Sequence, residues 1–555
     1  MNNSDKIIIK KNAKISEAIN LLQKTHERLL ICVDNNAKFL GVLNDGDIRR
    51  ALIKGAKINE KIENYINYNA ISVNEETSQS EATRIISSKV LVLPVINRYE
   101  NVIGYYSYKD KLKEAATISK EIVVVGVGYV GLTLSIVLSS SGFRVYGFDK
   151  NKKVISLLKN GKVPFYEKGL KKHLDFNNNK NLIFVNKINN INNVSTYIIC
   201  VGTPLNSRKD PILKNLKKSL TEVSKILKKN DLVILRSTIP VGCTRKIIVP
   251  ILEKFSGLKV GNDFSISYAP ERTAEGRALK ELKQNPQIIG GWDELSTEKS
   301  AAIFNNITHS IVRVPDVESA ELCKLIDNSY RDHQFAFINQ FIPLCKKLKI
   351  SLNNIVDYVN HGYPRNHIAK PSPGVGGPCL TKDPYILKKV FDEYNLKNNL
   401  FSQVRDVNKN IVNYMYNKIK NYIKIIKSNN KRECKIFFIG IAFKGNPETS
   451  DFRESTSLDL LKKFKNIRNL KIYDPVISKN ELKKINFPFS SINKGFEKAD
   501  IVIFFNNHDS YLDLNIYQLI KKMNKPSYFL DMWNQFDSLE MKKIRGVVYW
   551  GLGKE

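Results

Sequence analysis

The sequence is poor in cysteine, tryptophan and methionine, and its acids fall far short of its bases. Seven cysteines (Cys32, Cys200, Cys243, Cys323, Cys345, Cys379 and Cys434) are scattered over 555 residues. Their odd number and the lack of any CxxC spacing exclude a disulfide framework and a zinc ribbon, predict no metal site, and point to a reducing cytoplasm. No apolar run reaches the roughly 18 residues that a membrane helix needs. The opening segment MNNSDKIIIKKNAK has no apolar stretch followed by a small-residue cleavage site. Neither membrane insertion nor a signal peptide is therefore expected. The 54 acids against 88 bases leave a net charge of +34. Such an excess raises nucleic acid as a partner. The lysines, however, run along the whole chain among Asn and Ile, and the densest basic stretches (KKLKI, KSNNKR) carry no interleaved aromatics. No nucleic-acid function is expected, and the basic surface is read as gathering anionic nucleotide substrates.

At 555 residues the chain exceeds one hydrophobic core, and two to four domains are expected. Residues 1–115 hold an internal repeat. The segment VDNNAKFLGVLNDGD (33–47) aligns without gaps to INRYENVIGYYSYKD (96–110) at an offset of 63, matching Gly41 to Gly104 and Asp47 to Asp110. Each unit reads as a helical stretch (SEAINLL, SEATRII), an apolar strand (LLICV, VLVLPV), a polar turn, a second short strand and a helix start. The run GVLNDGDIRRALIKG resembles the more distinctive half of the CBS-domain pattern. The resemblance implies a tandem CBS pair with a regulatory adenine-nucleotide site, in which Asp47 and Asp110 hold the ribose. The alternative is that both acids are helix N-caps.

Residues 116–120 (ATISK) read as a linker. From EIVVV (121–125) to about 310, short apolar strands alternate with helical patterns, as in a parallel α/β sheet. Residues 316–350 form one long helical pattern without Pro or Gly until Pro343. A second α/β run follows in KIFFIGIAFKG (435–445), LKIYDP (470–475), IVIFF (501–505) and SYFLDMWN (527–534). The expected fold is α/β: two Rossmann-like doubly wound domains joined by a long central helix and preceded by the α+β pair. The expected boundaries are 1–115, 120–315, 316–410 and 430–555.

Gly126, Gly128 and Gly131 form GxGxxG between the strand IVVV and a helix that opens with Tyr129 and Val130. The first glycine permits a tight turn, the second lets a pyrophosphate approach the backbone, and the third lets helix and strand pack closely. The helix N-terminus offers N–H donors to phosphate. A second strand, RVYGFD, ends at Asp149, 18 residues after Gly131 and next to Lys150. An acid there grips the adenosine ribose and repels a 2′-phosphate, so the cofactor is NAD rather than NADP. Thr203 in CVGTP and Thr238 in RSTIPVG each follow an apolar strand and can face the same crevice or cap a helix.

In PSPGVGGPCLTKDPY (371–385) three glycines, Gly374 and Gly376 among them, and three prolines precede Cys379, with Asp383 four residues on. This loop joins seven other motifs in order: GVGYVG, VPFYEKGL, VGTP, STIPVG, APER, AELCKLIDNSYRD and GIAFKGNPETSDFRES. Together they span about three-quarters of the chain and resemble the UDP-glucose/GDP-mannose dehydrogenase family. The resemblance implies NAD-dependent, four-electron oxidation of the primary alcohol of a UDP-sugar to a carboxylate. Cys379 would form a thiohemiacetal and then a thioester. Lys324 and Asn328, four apart on one helix face, would stabilise the alkoxide and hold a water. Glu271 would be the acid/base for thioester hydrolysis, with Asp383 and Thr238 positioning the water and Lys324. Arg272, Arg331, Arg365 and Lys444 look like donors for the diphosphate and sugar, with surface ion pairs as their alternative. The family's helical spine implies at least a homodimer.

PER in place of PEF, together with YPRNHI (363–368), favours UDP-N-acetyl-D-mannosamine as substrate. UDP-glucose and UDP-N-acetylglucosamine or -galactosamine are the alternatives, because Pro378 stands where the N-acetylhexosamine enzymes often carry histidine. The rivals are a two-electron hydroxyacid-type dehydrogenase and a non-catalytic nucleotide sensor. The first needs no cysteine and no second α/β domain, and the second should have lost Cys379, Lys324 or Asp383.

Overall fold

The computed structural model describes residues 2, 4–25, 28–78, 81–82, 85–86, 89–111, 119–189, 191, 193–430 and 432–554. Of the expected linker, 116–118 lie outside the described residues, as do 80, 83 and 84 of the second unit's helical stretch.

The N-terminal repeat is two three-stranded sheets. The first joins β1 (Ile8–Lys10), β2 (Leu29–Val33) and β3 (Phe39–Asn44), and the second joins β4 (Val73–Asn74), β5 (Val92–Ile96) and β6 (Val102–Ser107). In both, the antiparallel ladder slips at one place, between Cys32 and Val33 and between Val95 and Ile96, the same position of the repeat. Val92 and Tyr105 of the second unit pack into the core of the first, so the units bury their apolar faces together.

A second body is built on β7 (Glu121–Val125), β8 (Arg144–Phe148), β9 (Leu182–Val185), β10 (Thr196–Ile199), β11 (Leu232–Leu235), β12 (Ser265–Tyr268), β13 (Gln287–Gly291) and β14 (Ile311–Val314). They order as β14-β13-β12-β11-β10-β7-β8-β9, parallel except between β12 and β13. The order reverses between β7 and β10, which opens a crevice at their carboxyl ends where such sheets bind ligands. Both faces are covered, by a core around Leu132, Leu134 and Ile198 on one side and one around Val123, Leu220 and Val233 on the other. The chain leaves β7 through the glycine turn into α1 (Tyr129–Ser140), nine of whose residues are buried. Two further helices matter below, α2 (Ala278–Gln284) and α3 (Glu294–Phe304).

The helical pattern at 316–350 is two helices rather than one. These are α4 (Val317–Asn339) and α5 (Ile342–Leu348), with Pro343 in the first turn of the second. Proline suits that position because its missing N–H would have no partner there. After α6 (Asp383–Glu393) comes the longest helix, α7 (Phe401–Asn430), which runs on beyond the expected boundary at 410. Ile411, Met415, Ile419, Ile423 and Ile426 recur at helical spacing along it and sink into the core of the last domain. That domain holds β15 (Ile436–Ile439), β16 (Leu470–Tyr473), β17 (Ile501–Phe504), β18 (Ser527–Asp531) and β19 (Val547–Gly551), all parallel in the order β16-β15-β17-β18-β19. This is the other common doubly wound order, with its switch point between β15 and β17.

Candidate active site

The glycine turn is shaped for a pyrophosphate. Gly126 has φ +93°, and at Gly131 a Cβ would come 1.8 Å from the Gly126 carbonyl oxygen. At Gly128, the N-cap of α1, a Cβ would meet nothing within 4 Å, so the backbone faces open space. The Asp149 carboxylate turns back to this loop, accepting from Val127 N–H at 3.1 Å and Asn151 N–H at 2.8 Å. These residues fit NAD, with donors toward a pyrophosphate and a fixed acid toward the ribose. Lys150 is exposed and donates to Asn215 Oδ1 at 3.1 Å. At the tips of β10 and β11 the Thr203 hydroxyl donates to the Thr238 carbonyl at 2.5 Å, tying the two crevice loops together. Neither threonine caps a helix in the structure; the next helical segments begin at Lys214 and Thr244.

Helix α4 organises the chemistry. Glu321, Lys324, Asn328 and Asp332 are buried along one face at i, i+3, i+7 and i+11, and each holds a different loop. Glu321 accepts from Gly242 N–H at 2.5 Å and Thr244 N–H at 2.9 Å, anchoring the STIPVG loop, and burial pushes its carboxyl up to about 7. The Lys324 ammonium donates to the Glu271 carbonyl and lies 3.8 Å from that residue's carboxylate. Asn328 donates to Asp383 Oδ2 at 2.5 Å. Asp332 pairs with buried Arg405 at 2.7 Å, whose guanidinium also donates to the Val375 carbonyl at 3.3 Å, so this pair pins the glycine loop ahead of Cys379.

That loop is pressed between two neighbours. A Cβ on Gly374 would come 2.7 Å from the Asn408 carbonyl oxygen of α7, and one on Gly376 would come 2.7 Å from the Glu454 carbonyl oxygen of the last domain. Cys379 emerges from it exposed to solvent. The surrounding protein and then Asp383 push its thiol up, to about 11, while Lys324 and Lys382 pull it down. Because the side chain touches water, solvation relieves part of the cost of burial, and the two ammonium groups weigh correspondingly more. Asp383 Oδ1 is buried without a hydrogen-bond donor and lies 3.2 Å from the Lys382 ammonium, which also reaches Thr203 at 3.5 Å.

From the last domain, Lys444 reaches across to donate to the Glu275 carbonyl at 2.7 Å. Burial lowers its pKa, opposed by Glu275, while nearby Arg331 lowers it further. Glu275 accepts from Thr449 at 3.1 Å and lies 3.8 Å from Arg453; burial and then Asp451 push its carboxyl up. Arg272 pairs with Asp327 at 2.5 Å beside Asn328. Arg331 is exposed one turn further along α4. Arg365 stands apart in an exposed loop, over the ring of Tyr363 at 5.6 Å.

Of the residues singled out in the sequence, the structure sets Lys324 against Glu271, Asn328 against Asp383 and Lys444 against Glu275; the sequence reading passed over their neighbours Glu321, Asp332, Arg405, Lys382, Glu275 and Arg453. The polar stripe on α4 was the available signal for the first two. In the N-terminal pair neither acid is an N-cap. Asn44 caps the helix Asp45–Ile53, and Asp47 is its third residue, closing a reciprocal capping box and pairing with Arg50 at 2.5 Å. Asp110 sits likewise three residues after Ser107, accepting from the Ser107 hydroxyl at 2.5 Å and from Asn2.

A glycine turn with its acid, a buried Lys–Asn–Asp constellation beside a loop cysteine, and a second doubly wound domain together define an NAD-dependent nucleotide-sugar dehydrogenase. Models of the UDP-glucose/GDP-mannose dehydrogenase family match in three parts: the NAD binding domain at residues 120–308, the central domain at 318–410 and the UDP binding domain at 437–538. CBS-domain models match residues 2–54 and 62–113. The chain belongs to the UDP-glucose/GDP-mannose dehydrogenase family, with a CBS pair ahead of it. It is 31% identical over 410 residues to UDP-N-acetyl-D-mannosamine dehydrogenase of Pyrococcus horikoshii, covering 72% of this chain and 93% of that protein. To the Campylobacter jejuni protein of the same name it is 30% identical over 408 residues, covering 71% and 97%. The solved P. horikoshii structure superposes with a TM-score of 0.69 at 30% identity over 78% of this chain and 99% of that one. Among the described residues no helix is long and apolar enough to cross a membrane.

Proposed function

We propose that the protein oxidises the C6 alcohol of UDP-N-acetyl-D-mannosamine to the uronic acid in two successive oxidations, through a covalent intermediate on Cys379. The observation that carries this reading is α4, which presents Lys324 and Asn328, one turn apart, to Glu271 and to Asp383 beside the cysteine loop. Gly126–Gly131 and Asp149 would hold NAD, which supplies a two-electron hydride acceptor for each oxidation, so that two molecules would be consumed in turn per sugar. Lys324, an ammonium beside the Glu271 carboxylate, stabilises the alkoxide as the alcohol loses its proton. The Cys379 thiolate then adds to the aldehyde carbon, and the resulting thiohemiacetal keeps the hydrogen that the second oxidation removes. Asp383, with one oxygen fixed by Asn328 and the other beside the Lys382 ammonium, holds the water that opens the thioester. Thr238 shapes the same pocket from the tip of β11, and Glu271 takes the water's proton, so that the carboxylate leaves and the thiol is restored. Arg272, Arg331 and Lys444 serve the diphosphate and sugar.

The choice of sugar rests on the relatives' names and on Arg272 in the PER motif; UDP-glucose and the other UDP-N-acetylhexosamines are the competitors. One experiment tests both levels. A substrate panel is run to completion, counting NADH per UDP-sugar consumed and identifying the product. Two NADH and a uronate are expected, with UDP-N-acetyl-D-mannosamine turned over fastest. One NADH with an aldehyde or ketone product, or no turnover of any UDP-sugar, sinks the reading.

For the N-terminal pair we propose a regulatory role, with an adenine nucleotide bound near Asp47 and Asp110. What supports it is the contact of the pair with the catalytic body. The Tyr108 hydroxyl donates to Glu294 at 2.8 Å, and the Lys111 ammonium lies 3.6 Å from the same carboxylate, on either side of Asp110 in sequence. Glu294 opens α3, which packs under β12, the strand that leads to Glu271. Calorimetry with AMP and ATP, and kinetics of the full chain against one lacking residues 1–115, decide it. No binding, or identical kinetics with and without nucleotide, rejects the role.

A further inference from the structure

Three consecutive residues of the PFYE segment touch three different parts of the molecule. The ring of Phe165 packs on Tyr129, the first residue of α1 after the glycine turn, at 4.9 Å between centroids. Tyr166 faces the last domain: its hydroxyl donates to Glu448 and its N–H donates to the Ser450 hydroxyl at 3.1 Å. Glu167 is buried, and its two carboxylate oxygens are divided between the cofactor turn and the loop that follows Glu271. One oxygen accepts from the Tyr129 hydroxyl and from Gly276 N–H at 2.6 Å, and the other accepts from Ala278 N–H at 2.9 Å. The Tyr129 oxygen itself lies 3.1 Å from Gly276 N.

Gly276 is where that loop meets the UDP-binding half. It has φ +90°, and a Cβ there would come 2.2 Å from the Glu448 carbonyl oxygen. The residue before it, Glu275, gives its carbonyl to Lys444 at 2.7 Å. A continuous run of short contacts therefore leads from the turn that faces the pyrophosphate, through Tyr129 and Glu167, to Gly276, Glu275 and Lys444. Its non-covalent links, Tyr129 to Glu167, Glu167 to Gly276 and the Glu275 carbonyl to Lys444, are buried or half-buried hydrogen bonds. A Tyr129 held in place by a filled cofactor turn keeps its hydroxyl on the Glu167 carboxylate, and Glu167 in turn holds the N-terminus of α2 and the backbone that locates Lys444.

We propose that Glu167 is a positioning residue that makes the NAD site and the UDP site bind cooperatively, by fixing the 271–278 loop only when Tyr129 is seated under the cofactor. The proposal rests on the assignment of the glycine turn and Lys444 to the two ligands. It calls for a carboxylate: a carboxamide has a single acceptor oxygen and would point an N–H at Tyr129 and Gly276 or at Ala278.

The test is calorimetry on the full-length chain with UDP and NADH, a pair that cannot react. UDP affinity is measured alone and with saturating NADH, in the wild type, Glu167→Gln and Tyr129→Phe. The ratio of the two affinities, not either affinity by itself, is the readout. In the wild type NADH is expected to tighten UDP by about 5-fold or more, and UDP must tighten NADH by the same factor. In both variants the ratio is expected to fall to about one. A purely structural role for Glu167 would weaken each ligand alone and leave the ratio at its wild-type value, which overturns the proposal. So does a wild-type ratio of one with both ligands bound. Failure of UDP to bind the wild type at all overturns the ligand assignment and the proposal with it, and is told apart by the titration of UDP alone. Tyr129→Phe deletes one hydroxyl and keeps the test decisive if Glu167→Gln does not fold.

Discussion

Asn328 on α4 donates its side-chain amide to Asp383 Oδ2 at 2.5 Å, while the other Asp383 oxygen is buried without a hydrogen-bond donor. One oxygen is thus used to hold the side chain, and the other lies 3.2 Å from the Lys382 ammonium with capacity to accept from a water as well. Asp383→Asn should keep both ligand affinities near wild type and lower kcat by on the order of 10²–10⁴-fold, the usual worth of a positioned acid or base. Equal kcat in single-turnover assays would remove Asp383 from the hydrolytic step.

Cys379→Ser should stop carboxylate formation while UDP-sugar and NAD still bind, because an alkoxide adduct does not collapse to a readily hydrolysed thioester. Mass spectrometry of the product and of the protein checks this. Full uronate production by the variant would falsify the covalent route.

The pH dependence follows from two shifts of opposite sign. The protein surroundings and then Asp383 push the Cys379 thiol up, so the reactive thiolate is the minor form at neutral pH and the rate of acid formation should climb on the alkaline side. Burial lowers Lys444 below the ordinary lysine value of 10.5, so its ammonium, and with it the affinity for the diphosphate, should fade at a lower pH than for an exposed lysine. Rising kcat with rising KM on the alkaline side is the expected pattern. A KM that stays flat up to the ordinary lysine range would remove Lys444 from the substrate site.

Asp149 is held at the glycine turn by two backbone N–H groups, so it cannot swing away from a 2′-phosphate. Like charges about 4 Å apart at an effective dielectric near 20 repel by about 4 kcal/mol. A preference for NAD over NADP of about 100-fold or more in kcat/KM is expected, and Asp149→Asn should erode most of it. Comparable efficiencies in the wild type would contradict the assignment.

Leu322, Ile326 and Tyr330 recur every fourth residue along α4, opposite the buried polar stripe, and are 36%, 51% and 61% exposed. Apolar side chains at that spacing form one face, and Phe337 continues it. The chain should be at least a homodimer by light scattering at micromolar concentration, and Ile326→Lys with Tyr330→Lys should dissociate it. A monomeric wild type would refute this.

Much of the site was legible in the sequence because its signals are local. A GxGxxG between a strand and a helix, an acid at the tip of the next strand, and Lys324 and Asn328 one turn apart each follow from backbone period and turn chemistry within a few residues. The pairing of Asp47 and Asp110 across a 63-residue repeat was equally plain, although the fold puts both at the third position of a helix rather than at its cap. The length of α7 was not, since its apolar face is matched to a sheet that begins only after it ends.

What no local pattern could supply is which loops the buried charges hold. Glu321 meets Gly242, 79 residues away; Asp332 meets Arg405, 73 away; and Glu167 meets Gly276, 109 away. Arg365, one of four basic residues read alike, ends in an exposed loop, while Lys444 is drawn to the Glu275 carbonyl. The sequence by itself determined the alternation of strands and helices, the cofactor turn and the class of enzyme, because those depend on neighbours along the chain. Only the tertiary structure decided which carboxylate each loop closes on. A buried charge is stable only where the fold brings it hydrogen-bonding partners, and those partners come from distant parts of the chain.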